Sequence, residues 1–290
     1  MFSHGSSMST NSPIYYKPSK KTPPLSFVVS GLGILIAGPI IGIIYALAIF
    51  YCPFIYINFF LTIGTGYAIG FVISKAVSIG KMRNPMWAGI LALTGSFLVL
   101  YVHWVVWILA ALEYQYLVLF PQDVWAVIVE FGANGVWEMF GATPSGLLLY
   151  AIWLVEALII FITALQLPIE QTNKLFCEVC SRWVKNEEQS SRKLAFGEDE
   201  DLITSTIEAA MSGDVLQLNQ LEEAPDGTHH YLKLETSSCK TCERINFMSL
   251  SNTTINFDDD GNAKVDSEPI IQHMLLNFED YESLRTGQPV

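Results

Sequence analysis

The chain of 290 residues is predicted to fold as an all-α membrane domain followed by a small α+β domain. Three observations predict this division. No Asp, Glu, Lys, Arg or His occurs from Thr22 to Ser74, whereas residues 169–290 hold 23 of the 28 acidic side chains. Four long apolar segments lie in the first 168 residues, and two CxxC pairs lie beyond them. This split excludes a uniform soluble domain, a collagen, a coiled coil and a disordered chain.

The apolar run of residues 25–74 is too long for a single span. A helix of that length would extend about 75 Å, against a hydrocarbon core of about 30 Å. The run must therefore turn once, and Pro53 marks the turn because proline removes a backbone donor. The four predicted transmembrane helices lie near residues 25–50, 54–74, 87–112 and 147–167, and Pro168 closes the last one. Helices are expected because lipid leaves open backbone groups without partners.

The positive charges predict the orientation, because short loops rich in Lys and Arg stay cytoplasmic. Three such clusters fall on one side of the predicted membrane: Lys17, Lys20 and Lys21; Lys75, Lys81 and Arg83; Lys174, Arg182 and Lys185. The outer loop of residues 113–146 contains no Lys or Arg. We therefore expect a multi-pass integral membrane protein with both termini cytoplasmic, in the inner membrane if the source is bacterial. Its parts are a polar tail (1–24), the membrane domain (25–168) and an acidic cytoplasmic domain (169–290).

The outer loop is long enough to hold structure of its own. Pro121 to Phe131 reads as an amphipathic helix that lies in the membrane interface, with Trp125 and Trp137 as anchors. A substrate-binding cap is the alternative. Within the first two spans, small residues at four-residue spacing predict close packing of these two helices on each other. These residues are Gly38 and Gly42 in the first span, and Gly66 and Gly70 in the second.

Two ionisable residues, His103 and Glu156, fall inside the predicted spans. Each lies nine residues from the outer end of its span, so both are expected roughly 13 Å deep and able to meet. A charged group at this depth is costly and is therefore expected to be paired. The pair is interpreted either as an interhelical tie around a neutral Glu156 or as part of a proton or ion relay.

Four of the five cysteines have the spacing of metal ligands: Cys177, Cys180, Cys239 and Cys242. Two CxxC pairs can complete a closed tetrahedral zinc site, which is structural because no position is left for water. In the cytoplasm thiols stay reduced, which favours coordination over disulfides. The pattern resembles a zinc ribbon with an insertion, although Ser181 and Glu243 stand where glycine often follows such a pair. Redox dithiols and unligated thiols are the alternatives.

The insertion between the cysteine pairs reads as a helical hairpin. Asp201 is predicted to cap its first helix and Gly213 to end it, while Asp214 and Gln217 form a variant capping box for the second. Adjacent histidines, His229 and His230, could replace a cysteine ligand but are typical of solvated residues.

Strands are predicted over Tyr231–Glu235, Phe247–Leu250 and Thr254–Phe257. Asp258–Asn262 is predicted to be a hairpin turn, since Ser267 stands where a calcium loop would need its glutamate. The tail beyond Pro269 is either a short docking helix or disordered.

The predicted function is that of a non-enzymatic scaffold or recruitment protein, whose zinc module binds an unknown protein partner. No phosphate loop, GxSxG or HExxH motif occurs. Residues 169–290 carry 10 Lys and Arg against 23 Asp and Glu, which excludes nucleic acid as a partner. We expect this acidic part, including Glu198–Asp201, to dock weakly on the loop of Lys75, Lys81 and Arg83. A transporter or channel component that uses His103 and Glu156 and assembles as a homo-oligomer is the first alternative, and a membrane-bound thiol oxidoreductase is the second.

Overall fold

A computed structural model describes residues 12–52, 54–136, 143–184, 189–196, 200–258 and 261–288. The chain divides into two compact units. The membrane unit is Pro18–Lys174, and the second unit combines Met1–Lys17 with Leu175–Val290. Pro53, Trp137, Lys185, Glu198, Asp199, Asp259 and Asp260, which enter the sequence predictions, lie outside the described residues.

The membrane unit contains five helices in its described part. Four of them are long and apolar enough to cross a membrane. The exception is α4, in the loop that precedes the last span. The helices are α1 (Pro24–Tyr51), α2 (Ile55–Gly80), α3 (Pro85–Ala111), α4 (Pro121–Asn134) and α5 (Leu147–Asn173).

Two helices continue beyond their predicted ends. Helix α2 runs to Gly80 and so includes Lys75, and α5 continues through Pro168 to Asn173. Pro168 lacks the N–H that would bond to the carbonyl of Ala164. That carbonyl faces α2, because a Cβ built on Gly70 would lie only 2.7 Å from it. Proline thus removes one backbone hydrogen bond without ending α5, which membrane helices tolerate.

Helices α1 and α2 pack on each other, as predicted, since a Cβ built on Gly80 would clash with the Cα of Ser26, but the two glycine pairs face other helices. A Cβ on Gly42 would lie 2.7 Å from the Val99 carbonyl of α3, and one on Gly66 would lie 2.7 Å from the Ile160 carbonyl of α5. Gly38 also faces α3 and Gly70 also faces α5. Spacing alone identifies a face that permits close approach, and it does not identify the helix that approaches.

The helix predicted in the outer loop is present as α4. Its Val124 and Ile128 are buried in a cluster with Val105 and Ile108 of α3. On the opposite face, Trp125 is exposed. Helix α4 is therefore amphipathic and packs on the membrane unit through one apolar stripe.

The second unit contains two antiparallel sheets in its described part. A small hairpin pairs β1 (Phe176–Cys177) with β2 (Arg182–Trp183). The larger sheet has four strands in chain order: β3 (Gln189–Ala195), β4 (His230–Ser238), β5 (Asn246–Phe257) and β6 (Ala263–Leu276). Three helical segments accompany it: α6 (Glu200–Ser212), a 3-10 helix (Val215–Gln220) and α7 (Phe278–Thr286).

The core of this unit lies between the larger sheet and the helical segments. Leu232 and Leu234 of β4 are buried at alternate positions, as expected for a strand with one covered face. They join one cluster with residues of α6, the 3-10 helix and α7, namely Ile203, Ala210, Leu218 and Leu284.

Several elements of this unit differ from the prediction. The second helix of the insertion is a 3-10 helix whose N-cap residue, Asp214, makes no side-chain capping bond, and Asp201 lies inside α6 instead of capping it. The tail is ordered as the second half of β6 and as α7. Strand β3 was not predicted at all, because its sequence QSSRKLA lacks apolar alternation.

The polar N-terminal tail contributes to the second unit. The amide of Leu275 in β6 donates to the carbonyl of Ile14 (2.8 Å), and the amide of Tyr16 donates to the carbonyl of His273 (2.8 Å). The Tyr16 ring packs edge-on against the buried Phe247. Segments from before α1 and after α5 therefore build one folded unit.

Candidate metal centre

Two hairpins bring the four cysteines of the CxxC pairs together. Cys177 and Cys180 lie in the β1–β2 hairpin, and Cys239 and Cys242 lie in the connection between β4 and β5. The four Sγ atoms all lie within 4.8 Å of one another. The predicted ligand set is therefore assembled in space, although 58 residues separate the two pairs in the sequence.

The distances between the sulfur atoms match coordination better than cross-linking. The Sγ atoms of Cys177 and Cys242 are 3.6 Å apart, and all four cysteines are free thiols. A disulfide would require about 2.05 Å. A metal bound tetrahedrally with metal–sulfur bonds of about 2.3 Å would set sulfur–sulfur distances of about 3.8 Å. The cluster thus needs little rearrangement to hold one ion.

The local backbone of both pairs is shaped to point two sulfurs at one centre. The amide of Cys180 donates to the Sγ of Cys177 (3.4 Å), which folds the first pair back on itself. In the second pair, the amide of Glu243 donates to the carbonyl of Cys239 (2.8 Å). Ser181 and Glu243 have φ angles of 50° and 52°, the left-handed conformation that glycine adopts most easily. The turns usually served by glycine are therefore made here by Ser and Glu.

A side-chain hydrogen bond joins the two hairpins. Arg182 follows the first pair, and its guanidinium donates to the hydroxyl of Thr241, which lies between the two cysteines of the second pair. Residues that flank the cysteine pairs also form a small buried apolar cluster: Leu175, Val184 and Phe247, together with the partly buried Tyr16 and Ile245. The two hairpins that carry the cysteines are thus held together by a side-chain hydrogen bond and by apolar packing.

The thiols of the cluster differ in their pKa. Cys177 and Cys239 are fully buried, and burial together with the neighbouring thiols raises the pKa of Cys177. By contrast, the backbone N–H of Arg244 lowers the pKa of Cys242 to about 7. Four thiolates at these distances would repel one another strongly, and a bound cation removes that repulsion. The geometry and the electrostatics therefore both suit a metal held by four protein ligands, with no open position for substrate.

The two predicted intramembrane residues belong to a larger polar layer. His103 is buried, but within the described residues no hydrogen bond or ion pair joins it to Glu156. Its ring stacks on that of Tyr45 of α1, with ring centroids 4.6 Å apart. The hydroxyl of Tyr45 is 2.9 Å from that of Thr62 of α2. Glu156 lies one helical turn after Trp153 of α5, whose ring packs on that of Trp104, next to His103 (centroids 4.9 Å apart). The predicted direct pair is thus replaced by an arrangement centred on Tyr45.

Tyr45 and Thr62 were missed in the sequence because neither interrupts an apolar run. The signal that could have found them is depth. Tyr45 lies six residues before the end of α1, and Thr62 lies seven after the start of α2. His103 and Glu156 lie eight and nine residues from the same ends of α3 and α5. All four Cα atoms are therefore about 9 to 14 Å from one end of the helix bundle.

Among the residues that the structure describes, the other predicted metal-binding candidates, His229, His230 and Asp258, do not group with further ligands. His230 is exposed and bonds to Asn252 through its Nε2 atom. The amide of Asn262 donates to the carboxylate of Asp258 (2.7 Å), and Gly261 has φ +81°, as expected for the predicted hairpin turn. Arg83 is buried against Ser19, so only Lys75 and Lys81 remain exposed on the predicted docking loop.

Comparison of the chain with protein-family models, with curated proteins and with solved structures finds no match in any of the three. Function is therefore inferred from the residues of the cysteine cluster and of the polar layer.

Proposed function

We propose that this protein is a non-enzymatic membrane scaffold whose cytoplasmic domain is stabilised by one structural zinc ion and recruits a protein partner. The observation that carries the proposal is the convergence of four Sγ atoms within 4.8 Å. A four-thiolate site leaves no coordination position for a substrate, so its contribution is folding energy. The two hairpins, each with one cysteine pair, correspond to the halves of a zinc ribbon, and residues 189–238 are its insertion.

The cytoplasmic location is supported by two features. Lys and Arg residues occur before α1, around the connection of α2 to α3, and after α5, whereas the loop of residues 113–146 contains none. Segments rich in Lys and Arg stay on the cytoplasmic side of a membrane. In addition, Ile14–Tyr16 pair with β6, so the segments before α1 and after α5 share one side of a membrane that four helices cross. In a reducing compartment the four thiols stay available for zinc.

Metal analysis of the full chain, purified in detergent, tests the proposal. We expect about one zinc per chain and loss of the zinc in Cys239→Ser. Cys52→Ser is the matched control, because Cys52 is the fifth cysteine and lies just beyond α1, outside the cluster. Retention of zinc in Cys239→Ser, or a disulfide between the pairs in protein isolated under thiol-blocking conditions, would reject the structural zinc.

Recruitment is tested by comparing the proteins that co-purify with the wild type and with the two cysteine variants. A partner is expected to be lost with Cys239→Ser and retained with Cys52→Ser. Reporter fusions at either end of the chain test the side of the membrane, and a signal from the outer compartment would contradict the proposed location.

A further inference from the structure

We propose that the polar layer of Tyr45, Thr62, His103 and Glu156 binds one small monovalent cation inside the helix bundle. This site is separate from the cysteine cluster, and it goes beyond the scaffold function. Each of the four long helices contributes one side chain to it, and the four lie at a similar depth from one end of the bundle.

The hydrogen bonds of the layer leave it rich in acceptors. The hydroxyl of Thr62 donates to the carbonyl of Asn58 (2.8 Å), so Tyr45 is the donor in its 2.9 Å bond to Thr62. Both hydroxyl hydrogens are then in use. The phenolic oxygen of Tyr45 keeps its lone pairs, and the carboxylate of Glu156 can only accept. A ligand that suits this layer must therefore bring positive charge or N–H donors.

Two buried polar atoms of the layer lack protein partners. The Nδ1 atom of His103 has none, and the His103 side chain is 8% exposed. The Oδ1 atom of Asn58, one helical turn from Thr62, is likewise buried without a partner. Buried polar groups in proteins are nearly always satisfied, so an unsatisfied histidine in the layer and an unsatisfied amide one turn from it point to a ligand.

An ionised Glu156 would have no counter-ion in the spans. Across the four long helices the only Lys or Arg is Lys75. Lys75 lies 13 residues after Thr62 along α2, which corresponds to about 20 Å. An unpaired carboxylate in the membrane is costly, and a bound cation offsets that cost.

The composition of the layer favours a monovalent ion. Among the described residues, only the cysteine cluster groups three or more side chains of the type that hold divalent metals. The layer offers one carboxylate, neutral oxygens and the aromatic faces of Tyr45 and Trp104. The ring of Trp104 lies 5.6 Å from that of His103. One formal charge and aromatic faces suit an alkali ion or a protonated primary amine.

Thermal unfolding of the full chain in detergent tests the site. The pH is held constant, and N-methylglucamine chloride keeps the ionic strength fixed while Na⁺, K⁺ or methylammonium replaces it. We expect a saturable rise of several degrees in the unfolding midpoint with at least one of these ions, since ligands stabilise the state that they bind. Comparison of the alkali ions with methylammonium distinguishes the two cation sources.

Three variants decide the outcome. Glu156→Gln is expected to abolish the cation-dependent rise, and Tyr45→Phe to weaken the apparent affinity about tenfold while keeping the ring. Glu170→Gln is the matched control, because Glu170 lies on the same helix, where it pairs with Lys174, and this variant should respond like the wild type. An absent shift, or an equal shift in Glu156→Gln, would overturn the proposal.

Discussion

At the scale of single residues, the candidate metal centre depends on two positions where the backbone is left-handed. Ser181 and Glu243 follow the second cysteine of each pair, and both have φ near +50°. For residues other than glycine this conformation costs about 1 to 2 kcal/mol. The cost is accepted at both turns, where each pair must fold back to present two sulfurs to one centre.

Replacing Ser181 by glycine is therefore expected to stabilise the second unit by up to about 1 kcal/mol, because glycine adopts this conformation without strain. Chemical denaturation of the full chain in the presence of zinc measures the change. Ser205→Gly is the control, since Ser205 is exposed on α6, where the same replacement should cost about 0.5 kcal/mol. A loss of stability in Ser181→Gly would show that the hydroxyl matters more than the backbone angle.

At the scale of secondary structure, the membrane unit is organised by close contacts between α2 and α5. Gly66 and Gly70 allow the backbone of α2 to approach the Ile160 and Ala164 carbonyls of α5. In lipid, helices gain little from burying apolar surface, so contacts of this kind supply much of the packing energy. The same approach places Gly70 next to the carbonyl of Ala164, which has no backbone donor because residue 168 is proline.

Gly70→Ala is expected to destabilise the membrane unit by about 1 to 3 kcal/mol, because the new Cβ would lie 2.7 Å from a backbone carbonyl and force the helices apart. Gly64→Ala is the control on the same helix, since nothing lies within 4 Å of its Cβ position. Thermal unfolding in detergent compares the two, and equal midpoints would argue against a tight contact at Gly70.

At the scale of the whole molecule, charge and hydropathy predict the division of the chain and its four spans, whereas local sequence patterns do not predict all helix ends or side-chain partners. The four spans follow from residues such as Glu113 and Lys174, because charges are expelled from lipid whatever the tertiary contacts. The cysteine cluster follows from ligand spacing. The end of α5 could not be predicted in this way, because a proline that ends a helix in water is tolerated inside a membrane helix. The partner of His103 was missed because Tyr45 reads as one more apolar residue of α1.

The pairing of the N-terminal segment with β6 was also beyond prediction, since about 260 residues separate the two. Tyr16→Ala is expected to speed hydrogen exchange at the amides of Tyr16 and Leu275 by about tenfold, because the ring on Phe247 holds this short segment in place. Tyr15→Ala is the control, since Tyr15 is the adjacent tyrosine, 38% exposed, and its ring does not pack on Phe247. Unchanged exchange in Tyr16→Ala would mean that the backbone bonds alone secure the segment.

The same pairing also determines when the N-terminal segment can fold during biosynthesis. Residues 14–16 leave the ribosome before any span, whereas residues 273–275 leave it after all four spans and both cysteine pairs. Residues 14–16 must therefore remain unpaired until β6 has been translated. A nascent chain that stalls before β6 would display an open sheet edge and a tethered Tyr16, two features by which quality-control proteases could recognise unfinished copies.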